Sequence, residues 1–255
     1  MDTLKIIKVG GRVVEDPESL NNLLDRFMTI SGYKILVHGG GPAATNLATQ
    51  LGIKTEMVNG RRITNKDMLD VVTMVYAGLI NKKIVAGLQA RGCNALGLTG
   101  ADMNLITAIK RPVRDIDYGF AGDIKNVNSR ELRLLINENI VPVIAPLTHD
   151  NQGNLLNTNA DTIAAELSVE LAAYFDVFLI YCFEKRGVLK DAEDENSIIN
   201  ELDSNLFKEY QEQGIISAGM IPKLENGFHA KQSGVKEVLI TNAVQIATGR
   251  GTRLI

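Results

Sequence analysis

The sequence predicts the α/β class, with a largely parallel central sheet covered by helices on both faces. Three observations carry this. Strand and helix signals alternate through most of the chain. Two short apolar runs rich in β-branched residues, Lys5–Val9 and Lys34–His38, each end in a glycine turn: Gly10-Gly11, and Gly39-Gly40-Gly41 before Pro42. A chain of 255 residues with 45% apolar content is also long enough for one large α/β domain or two lobes sharing a core.

Strand 4–9 is followed by a helix behind Pro17, with Leu20, Leu23, Leu24, Phe27 and Ile30 on one face. After the triple glycine, Ala44, Leu47, Ala48 and Leu51 mark a second helix, whose first N–H groups point back at the turn. Residues 53–63 read as a hairpin turning at Asn59-Gly60. A long helix is expected over 65–91, with Thr64 as N-cap, Asp67 three positions on, and Gly92 as its stop. Strands at 94–99 and 104–109 precede a polar hairpin near 111–127. Helix 129–138 and strand 141–145 come next. The remainder repeats the alternation: helix 160–174, strand 177–182, helix 204–213, a helix from Pro222 to Ser233, and strand 236–241. The acidic segment 191–195 reads as an exposed loop.

Several function classes drop out on composition. The balance of 27 basic against 30 acidic residues leaves a net charge of -3 and no basic stripe, so no nucleic-acid partner is expected. No purely apolar stretch approaches the ~20 residues that span a bilayer, so no membrane partner is expected. Met1 is followed at once by the first strand, leaving no room for a signal peptide, and the expected location is the cytoplasm. Cys93 and Cys182 are too few and too far apart for a zinc cluster or a disulfide framework.

Glycine at a strand's carboxyl end lets backbone N–H groups turn outward with no Cβ in the way, so each glycine turn suits a phosphate. In parallel α/β folds ligands collect at those strand ends. Gly39-x-Gly41-x-x-Ala44 fits a dinucleotide fingerprint only loosely. Pro42 interrupts it, and about 20 residues on the chain reads Gly60-Arg61-Arg62 with no acid for a ribose. Neither turn has the Gly-Lys-Ser/Thr of a Walker A loop. Lys8 sits inside an otherwise apolar strand. Alone, it reads as a strand-end lysine snorkelling to solvent. Asn157-Thr158-Asn159-Ala160-Asp161 opens a helix, and alone it reads as simple capping. Lys223 falls in the first turn of another helix, where a cation is disfavoured unless an anion joins it. The three histidines are not required. His38 reads as a packed strand-end residue, and His149 and His229 as surface residues.

In order along the chain, Lys8 to Gly11, His38 to Pro42, Asn59 to Thr64, Asn157 to Asp161 and Gly219 to Lys223 resemble the amino acid kinase family. Its N-acetylglutamate kinases are the nearest branch. Gly119 to Asp123 and the terminal Gly251-Thr252-Arg253 also fit, and the resemblance spans essentially the whole chain. It implies a three-layer αβα sandwich with an open, mainly parallel sheet and two lobes. Residues 1–175 would bind the acylated amino acid and dimerise, and residues 176–255 would bind ATP. It also implies phosphorylation of the side-chain carboxylate of an N-acyl-L-glutamate by ATP, as a step of arginine biosynthesis. Mg²⁺ would arrive with the nucleotide rather than in a protein metal site.

The same resemblance implies roles for matching positions. Lys8 and Lys223 would neutralise the phosphoryl group in flight, and Asp161 would hold those lysines. Gly10 and Gly11 would donate N–H groups to the γ-phosphate, and Gly40 and Gly41 would line the substrate side. Arg62 and Asn157 would grip the α-carboxylate. The chemistry suits this inventory, because a carboxylate nucleophile is already ionised at pH 7 and needs no general base.

The chain departs from the family pattern at three places. Residues 181–186, Tyr-Cys-Phe-Glu-Lys-Arg, lack the expected aspartate and run about two residues longer. Ala101 stands in place of a lysine, and Ala218 in place of a glycine. Adenine contacts are therefore left unassigned. Three alternatives remain open here: an N-succinyl substrate, another carboxylate or carbamate kinase of this fold, and a catalytically silent sensor. Because the chain begins at its first strand, a homodimer without arginine feedback is expected rather than an arginine-inhibited hexamer.

Overall fold

The computed structural model describes residues 1–58, 60–191, 193–216 and 219–255. Its centre is β1 (Thr3–Val9), hydrogen-bonded in parallel to β2 (Tyr33–His38) on one side and β11 (Asp176–Phe183) on the other. Beyond β2 lie β8 (Val141–Ile144) and β5 (Ala95–Leu98). Beyond β11 lie β13 (Glu237–Asn242), β14 (Thr252–Leu254) and β12 (Glu201–Leu202). The β13–β14 pair runs antiparallel, and the other pairs of this eight-stranded sheet run parallel.

A central strand of a parallel sheet is covered on both faces, so it must be apolar on both. β1 meets this with strict alternation. Leu4 and Ile6 enter one buried cluster, together with residues of α6 (Ser129–Asn137), α7 (Ala160–Leu171), α8 (Ser204–Glu212) and α9 (Ile221–Gln232). Ile7 and Val9 enter the other, with α1 (Gly11–Glu15), α2 (Pro17–Thr29), α3 (Gly41–Gln50) and the helix at 66–89. Lys8 follows Leu4 and Ile6 on the first face, the α7/α9 side. The expected αβα sandwich with a mainly parallel open sheet is the fold observed.

The long helix consists of α4 (Lys66–Val72), a π-helical stretch (Thr73–Ile80) and α5 (Asn81–Gln89). It is long and apolar enough to cross a membrane by composition, yet Met68, Val72, Ile84 and Leu88 are packed into the core. Asn65 rather than Thr64 caps it, accepting from the Met68 N–H at 2.8 Å. Thr64 is otherwise engaged. Its N–H donates to Tyr118 and its carbonyl accepts from Phe120, tying the helix entry to the 118–120 segment. Gly119 makes this possible with φ of +63°, and a Cβ there would collide with the Thr64 carbonyl.

Other differences are local. α1 begins directly on the first glycine turn, where no helix was expected. β3 (Met57–Val58) and β4 (Arg61–Arg62) form the expected hairpin, while Asn59 lies outside the described residues. The hairpin expected within 111–127 is instead β6 (Ile106–Lys110) pairing with β7 (Gly122–Val127) across a loop. Together with β9 (Leu147–His149) and β10 (Leu155–Asn157) they make a second, four-stranded sheet. The strands β9, β10, β12 and β14, of two or three residues, are too short to carry a periodic signal.

His38 is fully buried at the end of β2 and pins the second glycine turn to the long helix. Its Nδ1 lies 2.9 Å from the Gly39 carbonyl, and its Nε2 accepts from Asn81 Nδ2 at 3.2 Å. Asn81 donates in addition to the Val143 carbonyl, joining helix, turn and β8. Burial pushes the imidazole pKa down from 6.5 to about 4. His38 therefore stays neutral in the folded protein while the unfolded chain takes up a proton. Stability present above pH 6.5 is lost as pH falls toward 4, by roughly 3 kcal/mol from this residue. Urea unfolding at pH 7 and pH 4.5 checks this, with a flatter pH dependence expected for His38→Asn. Equal slopes in the two proteins would overturn the assignment.

Candidate active site

The carboxyl ends of β1 and β2 open into a cleft of about 620 Å³. The residues expected at a functional site, Lys8, Gly10, Gly11, Gly40 and Gly41, all line it. So do Arg62, Asn157, Asp161 and Lys223. They come from seven different elements or turns, and the parallel topology brings them together.

Lys8 is 5% exposed, and its Nζ lies 2.6 Å from Asp161 Oδ1. The contact is one of charge, since Oδ1 has no directed hydrogen bond. Asp161 sits in the first turn of α7. Its N–H donates to the Asn159 side chain at 2.7 Å, and Tyr181 on β11 donates its hydroxyl to the Asp161 carbonyl at 3.1 Å. Asn159 is thus the cap, and Asp161 is left for Lys8.

Lys223 occupies the first turn of α9. Burial lowers its pKa most, Asp161 raises it, and the neighbouring Lys8 ammonium lowers it again, for a net shift downward. Its Nζ stands 4.5 Å from the centre of the Phe183 ring, and Lys8 Nζ 5.6 Å from the same centre. Phe183 is a residue that sequence reasoning did not single out. Its signal was the departure of segment 181–186 from the family pattern.

The two glycine turns pack against each other. A Cβ on Gly11 would meet the Pro42 ring at 2.9 Å and the amide nitrogens of Gly40 and Gly41 at 3.2 Å. A Cβ on Gly40 would strike Ile80 at 2.5 Å and the Tyr76 ring at 2.8 Å, both from the π-helical stretch. One expectation is narrowed here. The Gly10 N–H already donates to the Cys182 carbonyl at 3.1 Å, so it is not a free phosphate donor. Gly10 contributes the absence of a side chain.

Arg62 is buried at the end of β4. Its Nη2 donates to the Gly41 carbonyl at 2.9 Å and to Thr45 Oγ1 at 2.8 Å, while Nη1 is buried without a partner among the described residues. A buried guanidinium with an unspent Nη1 suits a carboxylate oxygen, which accepts a charge-assisted bond from it. Asn157, ending β10, donates Nδ2 to Thr64 Oγ1 at 3.0 Å.

The lining carries six cations, Lys8, Arg12, Arg61, Arg62, Lys185 and Lys223, against two carboxylates, Asp161 and Glu184. Glu184 pairs with Arg12 at 3.1 Å. The amino ends of α3, α7 and α9 meet the same space and add partial positive charge. The arrangement is built to receive a multiply charged anion. No histidine lines it. His229 is exposed beside Glu166, and His149 is half-buried rather than on the surface.

The sequence matches the model of the amino acid kinase family over residues 3–242. It is 61% identical over 254 residues to the acetylglutamate kinase of Parabacteroides distasonis, covering 100% of both chains. It is 61% identical over 251 residues to the acetylglutamate kinase of Phocaeicola vulgatus, covering 98% of each. Among solved structures, smu.665 from Streptococcus mutans UA159 superposes with a TM-score of 0.82 at 27% identity, covering 98% of each chain.

The burial of the Lys8–Asp161 pair has an energetic consequence, because removing one partner strands the other charge. Asp161→Asn is expected to lower the free energy of unfolding by about 3 kcal/mol. The double variant Lys8→Met/Asp161→Leu, which removes both members of the pair, should regain part of that loss, Lys223 still lacking the Asp161 charge. Urea denaturation measures both, and an Asp161→Asn loss below about 1 kcal/mol would contradict the account.

Proposed function

The chain belongs to the amino acid kinase family, and on that premise we propose that it phosphorylates the side-chain carboxylate of N-acetyl-L-glutamate. ATP is the donor, N-acetyl-L-glutamyl 5-phosphate and ADP are the products, and the reaction is a step of arginine biosynthesis. The observation that carries this reading is the Lys8–Asp161 pair lining one cleft with Lys223 and with Arg62, whose Nη1 is unspent.

The substrate's side-chain carboxylate is ionised at neutral pH and attacks without a base. What the protein must supply is alignment, and cover for the negative charge on the transferring group. Arg62 anchors the α-carboxylate through Nη1, with Asn157 beside it, and Gly40 and Gly41 leave room for the substrate chain. Gly11 offers an N–H at the turn. Lys8 and Lys223 meet the phosphoryl oxygens from the α7 and α9 side. Asp161 keeps Lys8 in place but takes no proton.

The residues present fit Mg²⁺ carried by the nucleotide's own phosphates. Among the described residues no group of three acidic, histidine or cysteine side chains is gathered, and both cleft carboxylates already face a cation. Mg²⁺ would supply neutralisation of the donor phosphates. We assign acyl-amino-acid binding to residues 1–175 and ATP binding to residues 176–255, and the working state to a cytoplasmic homodimer.

A coupled ADP-release assay tests the reading with N-acetyl- and N-succinyl-L-glutamate as substrates. Turnover is expected with the acetyl compound, and a loss on the order of 10²–10³ in kcat for Lys223→Ala. No turnover on any acylated amino acid would sink the kinase reading. Undiminished turnover in the variant would sink only the lysine's role. Because the Lys223 pKa is lowered, its cation is lost early on the alkaline side. The basic limb of kcat/KM should therefore fall at a pH below the ordinary lysine value of 10.5.

A further inference from the structure

We propose that Phe183 is a positioning residue for the transfer: its ring holds the Lys8 and Lys223 ammonium groups at a fixed spacing without neutralising them. The inference rests on the kinase reading for its meaning, and on geometry for its substance.

The sheet register places the ring. Lys8 on β1 is paired with Tyr181 on β11, and Phe183 lies two residues further along the same face. Its ring stacks on that of Tyr181, with centres 6.2 Å apart and planes 14° apart. Tyr181 is fully buried, and its hydroxyl is bonded to the Asp161 carbonyl. One two-residue aromatic column therefore faces both ammonium groups through Phe183, Lys223 at 4.5 Å and Lys8 at 5.6 Å, and holds the backbone of Asp161 through Tyr181.

The chemistry explains the choice of a ring. Lys8 takes the direct contact with Asp161, Lys223 has no ion-pair contact of its own among the described residues, and the two ammonium groups repel each other. A carboxylate in place of the ring would cure the repulsion by pairing with them, whereas Glu184, the next residue, is engaged with Arg12. Such a replacement would then compete with the phosphoryl oxygens that the lysines must meet. An aromatic face attracts a cation through its quadrupole while carrying no charge and accepting no strong hydrogen bond. It orients the lysines and leaves them free for an incoming anion. An aliphatic side chain of similar size fills the space but exerts no such pull.

Two measurements test this, one of them independent of activity. In protein reductively methylated with ¹³C, the Lys223 methyl signal is identified by its disappearance in Lys223→Arg. It should be shifted upfield by the ring. In Phe183→Leu it should lose that shift and titrate at lower pH, while Phe183→Tyr should retain both. In the coupled assay Phe183→Leu should lose about two- to thirty-fold in kcat, the worth of one cation–π contact, with KM for both substrates nearly unchanged. Phe183→Tyr should restore kcat. Phe183→Met serves as the apolar variant if the leucine protein does not fold. An unshifted Lys223 signal in the native sequence would overturn the proposal. So would a Phe183→Leu protein with native kcat and native Lys223 titration. Absence of turnover in the native protein would instead remove the kinase reading, and the methyl signal would still decide whether Phe183 holds Lys223.

Discussion

The buried contact between Lys8 and Asp161 is the constraint around which the rest is arranged. A lysine at the penultimate position of a central strand takes the place of an apolar side chain. Desolvating it costs several kcal/mol unless an opposite charge meets it closely. The partner comes from the first turn of α7, so α7 must dock with its amino end over the tip of β1. Asn159 takes over the capping duty that Asp161 would otherwise perform, and Tyr181 ties the Asp161 carbonyl to the neighbouring strand. Three elements are thereby locked in one relative position at the strand ends.

That position matters because everything else with unspent positive character points to the same place. Parallel strands share one carboxyl end, so each following turn and helix start opens on the same side of the sheet. The two glycine turns pack so closely that a side chain at Gly11 or Gly40 would collide, and the π-helical stretch presses Tyr76 and Ile80 against Gly40. π-helical turns tend to occur at functional sites, where they re-aim side chains. Here the stretch sets how near the long helix approaches the second turn. The Asn81–His38 contact one turn later fixes that distance with hydrogen bonds.

Much of this was legible in the sequence wherever the signal is local. β-Branched runs ending in glycine marked β1 and β2, and Lys8 stood out as a charge in an apolar run. The first-turn position of Lys223 announced a missing anion. What sequence spacing does not convey is pairing across the fold. By spacing alone Asp161 looked like one more capping residue; the family resemblance marked it as a holder of the lysines, and the docking of α7 over β1 brings it to Lys8. Likewise Thr64 has the chemistry of an N-cap, but its backbone is claimed by the 118–120 segment and Asn65 caps instead. Gly10 appeared to be a phosphate donor, because nothing in a glycine shows that Cys182 already accepts its N–H. Phe183 was visible only as a departure from pattern, since a cation–π contact has no sequence periodicity.

The electrostatics of the cleft make sense only with its ligands in view. Six cations and three helix amino ends face two carboxylates, and each carboxylate already has a cation beside it. Left alone, such a site carries self-repulsion, and at Lys223 the Lys8 charge adds to the burial that lowers its pKa. Asp161 relieves part of that repulsion at Lys8. Phe183 steadies the remaining charge without cancelling it. A further carboxylate would stabilise the empty protein but weaken its hold on a polyanion. The excess charge is thus a standing cost that a bound, multiply charged substrate relieves, and binding and transfer draw on the same imbalance.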